Sequence, residues 1–501
     1  MMNQRRAPLF EELKALYEKQ PASFHVPGHK SGQGLDDPME LNFFQQVMSI
    51  DFGTGILGLD RLHDPKGSVK VAQELAAACF GADQSFFLVG GSSIGNLALL
   101  LSVCRNNEPI IVQRNVHKSV IHGLMLAGAR AVFLPSRWDK HNGVAYGVRL
   151  EDVEAALKQY PDAKGVFLSN PNYYGMGIDL RPFAKLVHAY NKPLLVDEAH
   201  GAHYGFHPSV PASALSSGAD AVIQSTHKML TAMSSGSMLH VQGNLLDRDL
   251  IAQRLSMLHT TSPFYPILAS LDLSRRQMAL EGRQRLSAGL RTVEKFRSSL
   301  RREMPWFRLI GDADDPFDYE TLDPFKISIK DGTGTLTGFQ LEAELAQQGC
   351  IVEMADLQYA LAVFSLASTE KDADRLLSAL ENISLRYGLE KKSYHDGGLS
   401  NSMFDFSPFT EISETSVIRL QQNDTVTVPL EEALHAQAGE MVIPFPPGVP
   451  LIYPGERINS QVIQTIRMLS AAGARFSGVQ DDSMRTVRIL SPVNERLVRI
   501  K

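Results

Sequence analysis

The sequence predicts an α/β protein: a mostly parallel sheet with helices on both faces, then a smaller α/β domain and a C-terminal α+β domain. Between about residues 66 and 245, short apolar runs (85–89, 109–113, 130–134, 164–169, 193–197 and 220–224) are separated by helical stretches. That is the pattern of buried parallel strands joined by helical crossovers. Further on, strand-like 325–330 and 359–365 alternate with helix-like 337–347 and 369–386, which marks the smaller domain. A third segment starts near 415, opens with a helix near Leu430 and carries the proline-rich run IPFPPGVPLIYPGE, 443–456.

The remaining elements follow from local signals. Leu9, Leu13, Leu16 and Tyr17 recur at helical spacing, so 8–19 reads as an amphipathic helix. A loop-rich stretch with His25, Pro27, Gly28, His29 and Gly32 follows. Residues 267–303 read as one long helix despite Gly282 and Gly289, and the polar, Gly- and Ser-rich stretch 390–410 as a linker. The expected division is an N-terminal helix and arm (1–30), a large domain (31–266), a small α/β domain (267–390), a linker (391–414) and a C-terminal domain (415–501).

The chain has 501 residues, enough for about three domains at ~150 residues each. Hydrophobic residues make up 44% and charged residues 21%, an ordinary globular balance that can bury a large core. A net charge of −6 argues against nucleic acid and anionic membrane as partners. Cys79, Cys104 and Cys350 form neither a metal spacing nor a disulfide framework, which fits a reducing compartment. No apolar signal core follows Met1–Arg6, and no run approaches the ~20 residues that span a bilayer. The expectation is a soluble, cytoplasmic protein without a metal site.

Four short motifs fall just after the predicted strands, where open α/β sheets place their ligands. In Gln224-Ser225-Thr226-His227-Lys228, a lysine at a strand end can be held partly desolvated. Its amine then becomes a nucleophile toward an aldehyde. A surface lysine in a turn is the plainer reading. In Val196-Asp197-Glu198-Ala199-His200, a strand-end carboxylate can hold a pyridine nitrogen protonated. A helix cap or a metal-binding aspartate would look the same, although no GxxxxGK(S/T) phosphate loop is present. The turn Gly90-Gly91-Ser92-Ser93-Ile94-Gly95-Asn96 can cradle a phosphate on N–H groups at a helix start. An ordinary strand-to-helix turn is the alternative. In Asn115-Val116-His117-Lys118-Ser119, the imidazole can stack on a flat ring or simply open a helix. Each motif alone is weak. Their order along one alternating pattern is what points to a pyridoxal-phosphate site.

These runs resemble the Orn/Lys/Arg decarboxylases, pyridoxal-phosphate enzymes of the aspartate-aminotransferase-like fold (fold type I). The matching segments are FHVPGHKSG (24–32), HDPKGSVKVAQELAAACFGAD (63–83), GGSSIGN (90–96), RNVHKS (114–119), NPNYYG (170–175), VDEAHGAHYG (196–205), QSTHK (224–228), TTSPFYPILASLD (260–272) and PFPPGVPLIYPGE (444–456). They cover most of the chain. The first begins at residue 24, so the resemblance is to the compact Gram-positive type, without the N-terminal wing domain of larger members.

The resemblance implies a role for each matching position. Lys228 would carry the cofactor as a Schiff base, and Asp197 would pair with the ring nitrogen. His117 would stack on one face of the ring and Ala199 on the other. Ser92, Ser93 and Ser225 would hold the phosphate, with His227 beside it. Ser262 would complete the phosphate site of the partner subunit, making a homodimer the minimal active unit. Glu456 would bind the distal cation of the substrate, with Glu353 and Asp356 as weaker candidates. The implied reaction is decarboxylation of arginine, lysine or ornithine, with Lys228 or His227 returning a proton to Cα. Asn172 stands where the family usually has threonine, the phosphate turn reads GSS, and the stretch Met229–Ser234 differs from better-studied members. An aminotransferase or other enzyme of the same fold would use the same lysine and aspartate, with Arg375 or Arg386 as candidates to clamp the α-carboxylate. A catalytically silent pyridoxal-phosphate-binding regulator is a further alternative.

Overall fold

The structure, a computed structural model, describes residues 2–35, 37–53, 55, 58–312, 318–392, 411–416, 424–445 and 448–491. The chain divides into two compact units, Met1–Val103 with Ala184–Arg285 and Cys104–Phe183 with Leu286–Lys501. Most of the expected linker, residues 393–410, lies outside the described residues.

In the first unit four strands lie in the order Gln84–Leu88, Ser237–Val241, Ala221–Gln224 and Leu194–Asp197. The last two pair in parallel, with Val196 opposite Val222. Ser237–Val241 runs antiparallel to both of its neighbours and is absent from the predicted runs. The helix Gly91–Val103 begins inside the run expected to be a turn, so Ser92 and Ser93 belong to its first turn. Gly95 permits this close seat, because a Cβ there would lie 3.0 Å from Leu88 and 3.1 Å from Ile223. The amphipathic helix Pro8–Glu18 places Leu9, Leu13 and Leu16 in a core with Leu59, Val69, Ala72, Phe87, Tyr265 and Leu268.

In the second unit Val166–Ser169, Pro109–Gln113 and Arg130–Leu134 form a parallel ladder, and Ser413–Ser416 closes it antiparallel to Arg130–Leu134. A separate antiparallel sheet runs in the order Phe307–Leu309, Lys326–Asp331, Ala360–Val363 and Met354–Ala355. Its helices, Gly338–Gln347 and Glu370–Tyr387, both start on a threonine capping box. The expected helix near Leu430 is a single 3-10 turn, Leu430–Ala433. The helix of that region is Ser460–Ala471, capped by Asn459, and it packs Val462, Ile463 and Ile466 against Val442, Ile452 and Phe476. The predicted long helix is real, Tyr265–Glu303. Among the described residues no helix is long and apolar enough to cross a membrane.

Two buried polar clusters hold the first unit together. Arg275 is fully buried and donates to the backbone carbonyls of Gln4 (3.0 Å) and Arg6 (2.7 Å) and to Asp272. Asp272 in turn accepts the Leu9 amide at 3.0 Å, so the pair ties the N-terminal segment to the long helix. Arg275→Met leaves the Asp272 carboxylate buried without its counter-charge, and we expect a loss of about 3–5 kcal/mol in denaturant unfolding. A loss under about 1 kcal/mol would mean the pair does not anchor the segment. Glu198 is fully buried, and burial pushes its carboxyl up to about 8, although it accepts from Gln224 and from the Ala214 amide. The folded chain therefore holds a proton there that the unfolded chain releases near 4.5. The associated stability is complete below about pH 4.5 and is lost as pH rises to about 8. Unfolding midpoints measured at pH 5 and pH 8 should differ less in Glu198→Gln than in the wild type.

Candidate active site

Lys228 sits on a one-turn helix, Thr226–Met229, directly after the fully buried strand Ala221–Gln224. Its amide donates to the Ser225 carbonyl at 3.0 Å. Its Nζ lies 3.0 Å from His200 Nε2, on a ring only 4% exposed. The neighbouring His227 donates from Nδ1 to the Gly236 carbonyl at 2.9 Å, and its amide donates to the same oxygen at 3.1 Å. That bond fixes the tautomer of a neutral ring, with the lone pair on Nε2. Gly236 is required by the tight approach, since a Cβ there would lie 2.9 Å from the Met233 carbonyl oxygen.

Asp197 ends the strand Leu194–Asp197 and is 5% exposed. Asn96 donates to its Oδ2 at 2.9 Å and the Ala199 amide to its Oδ1 at 3.1 Å, so both oxygens are held in direction. Ala199 is itself buried. At the start of the helix Gly91–Val103, Gly91 has φ +72°, a left-handed conformation suited to glycine. Its amide donates to the Ser235 carbonyl at 2.8 Å. The Ser225 hydroxyl donates to the Ser92 hydroxyl at 2.9 Å, so two of the sequence-selected hydroxyls meet beside a helix N-terminus, with Ser93 next along the same turn. The first unit thus gathers an amine with an imidazole, a strand-end carboxylate, and a hydroxyl pair where helix N–H groups attract anions. Ser262 is exposed on a loop, its hydroxyl 3.2 Å from that of Thr260.

The second unit holds the other sequence-selected residues. His117 is the N-cap of the helix Lys118–Ala127, and its Nδ1 accepts from the Ser119 amide at 3.2 Å, which places the ring proton on Nε2. Glu456 is 5% exposed and pairs with Arg114 at 2.8 Å. Burial raises its carboxyl above the usual range, and Arg114 opposes that shift. Asp356 accepts from the Tyr174 hydroxyl and from the Gln358 and Tyr359 amides, and burial pushes its carboxyl up as well. Glu353 is exposed. Arg386 pairs with Glu344 at 2.7 Å on the surface, and the Arg375 guanidinium lies beside Gly349. Asn172 accepts from the Tyr174 and Met176 amides and donates to the Ala145 carbonyl, which organises the turn around NPNYYG. Among the described residues no cluster of histidines, cysteines and carboxylates could hold a metal ion.

Three participants were not singled out from sequence: His200, Asn96 and Arg114. His200 stands three residues after Asp197, and Asn96 one turn past Ser92, so helical and turn spacing offered a signal for both. Arg114 lies inside a quoted motif, but its partner Glu456 is 342 residues away.

The major domain of the Orn/Lys/Arg decarboxylases matches residues 7–372, and the C-terminal domain of the same family matches residues 399–487. An arginine decarboxylase of Bacillus subtilis is 35% identical over 497 residues, covering 98% of this chain and 99% of the relative. A constitutive lysine decarboxylase of Escherichia coli is 25% identical across 95% of this chain and 79% of its own length. Among solved structures, a lysine decarboxylase of Francisella novicida shares the fold with a TM-score of 0.82 at 21% identity, covering 97% of this chain and 81% of that one. A serine palmitoyltransferase of Sphingomonas wittichii matches at a TM-score of 0.52 and 15% identity over 74% of this chain and 87% of its own. The fold is that of the fold type I pyridoxal-phosphate enzymes, and the chain belongs to the Orn/Lys/Arg decarboxylase family.

Proposed function

We infer that this chain is a pyridoxal-phosphate-dependent decarboxylase that converts a basic L-amino acid, arginine, lysine or ornithine, to its amine and CO2. The observation that carries this reading is the grouping in the first unit of the Lys228 amine, the doubly held Asp197 carboxylate and the Ser92–Ser225 hydroxyl pair. Those residues fit the group. The hydroxyls and the helix start suit a phosphate, the buried carboxylate suits a pyridinium nitrogen, and the lysine suits an aldehyde. Arginine is the first substrate to test, because the B. subtilis relative that matches over nearly all of both chains is an arginine decarboxylase.

Bound pyridoxal phosphate supplies an electron sink for the pair left on Cα when CO2 departs. The chain supplies orientation and protons. Ser92, Ser93 and Ser225 would hold the phosphate, with His227 close to them in sequence. Asp197 keeps the ring nitrogen protonated, and its direction is set by Asn96 and the Ala199 amide. Ala199 and His117 would be the residues that pack against the ring. Lys228 anchors the cofactor, and Lys228 or His227 returns the proton to Cα. Ser262, exposed on its loop, reaches the phosphate of a second copy in a homodimer. Of the three acids considered for the distal cation, Glu456 is engaged by Arg114 and Asp356 by Tyr174, which favours the exposed Glu353. The three free cysteines fit a cytoplasmic setting.

Two variants test the assignment. Lys228→Ala should lose the visible absorbance of the lysine-bound cofactor and release no CO2 from any of the three amino acids. Retention of both would sink the proposal. Asp197→Asn keeps the shape and removes the charge. It should still bind cofactor while kcat falls by on the order of 10²–10³, the usual cost of deleting one electrostatic contact to developing charge. Product analysis of the wild type separates the activities: amine with CO2 supports decarboxylation, and a keto acid would replace it with transamination.

A further inference from the structure

We propose that the C-terminal domain serves the cofactor site by clamping the 114–119 run, with Glu456 as a positioning residue that acts through Arg114 on His117. The proposal rests on the reading of His117 as the residue that stacks on the cofactor.

Arg114 directly follows the strand Pro109–Gln113, and His117 opens the next helix three residues later. The C-terminal domain holds Arg114 at several points. Its guanidinium donates to Glu456 Oε2 (2.8 Å), the Leu451 carbonyl (3.1 Å) and the Pro450 carbonyl (3.2 Å). It lies 3.8 Å over the ring of Tyr453. The Tyr453 hydroxyl donates to the Arg114 carbonyl at 2.7 Å, and the Tyr453 amide donates to Glu456 Oε2 at 2.9 Å. Side chain and backbone of Arg114 are therefore both held by the segment 450–456. Arg114 is 6% exposed and Glu456 5%.

The rest of the run is equally fixed. Asn115 accepts from Gln113 (2.7 Å) and Ser136 (2.7 Å), and His117 is held by Ser119. Displacement of Arg114 thus passes along a short, tethered backbone to the imidazole. A guanidinium is suited to this because its planar fork satisfies several acceptors from one position. A buried pair of this kind is weak evidence for stability but can fix one geometry among several. Removal of either charge leaves the other buried without its counter-charge, which loosens the hold on the run.

The test uses the full-length chain, first without cofactor and then with it. Hydrogen exchange followed by mass spectrometry reads peptides covering 114–120 in the wild type, Glu456→Gln and Tyr453→Phe. We expect exchange there to rise about tenfold in cofactor-free Glu456→Gln, as for a locally opened segment, and less in Tyr453→Phe. With pyridoxal phosphate, its Kd should weaken and its visible circular dichroism change in the same order, while KM for arginine stays near the wild-type value. Wild-type exchange and cofactor Kd in both variants, with a raised KM, would overturn the proposal and assign Glu456 to the substrate. If Glu456→Gln does not fold, Tyr453→Phe alone decides: unchanged exchange over 114–120 overturns the clamp. Failure of the wild type to bind cofactor or release CO2 would defeat the functional reading instead, and the cofactor-free exchange would still decide the clamp.

Discussion

Polar groups at the carboxyl ends of buried strands must be matched, because burial without a partner costs more than folding can spare. The first unit meets this constraint at three positions of the site. The amine of Lys228 meets His200, Asp197 receives Asn96 and a backbone amide, and Ser225 meets Ser92. Each match fixes a direction as well as an energy. A ligand that arrives at such a site finds donors and acceptors already aimed, with little reorganisation left to do.

Glu198 shows the same constraint acting below the site. It is the neighbour of Asp197 in sequence, yet its carboxyl is held in the interior by Gln224 and Ala214. The alternation of one strand end therefore gives two carboxyl groups two environments. Asp197 is held by Asn96 and the Ala199 amide, and Glu198 by Gln224 and the Ala214 amide.

Much of this was legible in the sequence where a local rule decides it. The strands Pro109–Gln113 and Arg130–Leu134 coincide with continuous apolar runs, and Lys228 and Asp197 stand at strand ends as their motifs implied. Legibility failed where tertiary packing reassigns a local signal. Gly91 and Gly95 read as part of a turn, yet they belong to the first turns of the helix Gly91–Val103, where Gly95 sits against Leu88 and Ile223. Ser237–Val241 has no distinctive run of its own and becomes a strand by pairing on both edges. Leu430 offered apolar residues for a helix, but the proline before it and the short run support only one 3-10 turn. Glu456 read as an acid waiting for a cation, and one lies opposite it: Arg114, from a strand end 342 residues away. No local rule could supply that partner. The pairing also gives the two matched domains of the family, 7–372 and 399–487, a physical link through one buried ion pair.

Every role proposed for the site depends on the Lys228 amine carrying the cofactor. The most direct measurement is borohydride reduction of the protein loaded with pyridoxal phosphate, followed by peptide mass spectrometry. A pyridoxyl group on Lys228, and on no other lysine, is the expected result. A modified lysine elsewhere in the chain, or none at all, would contradict the account.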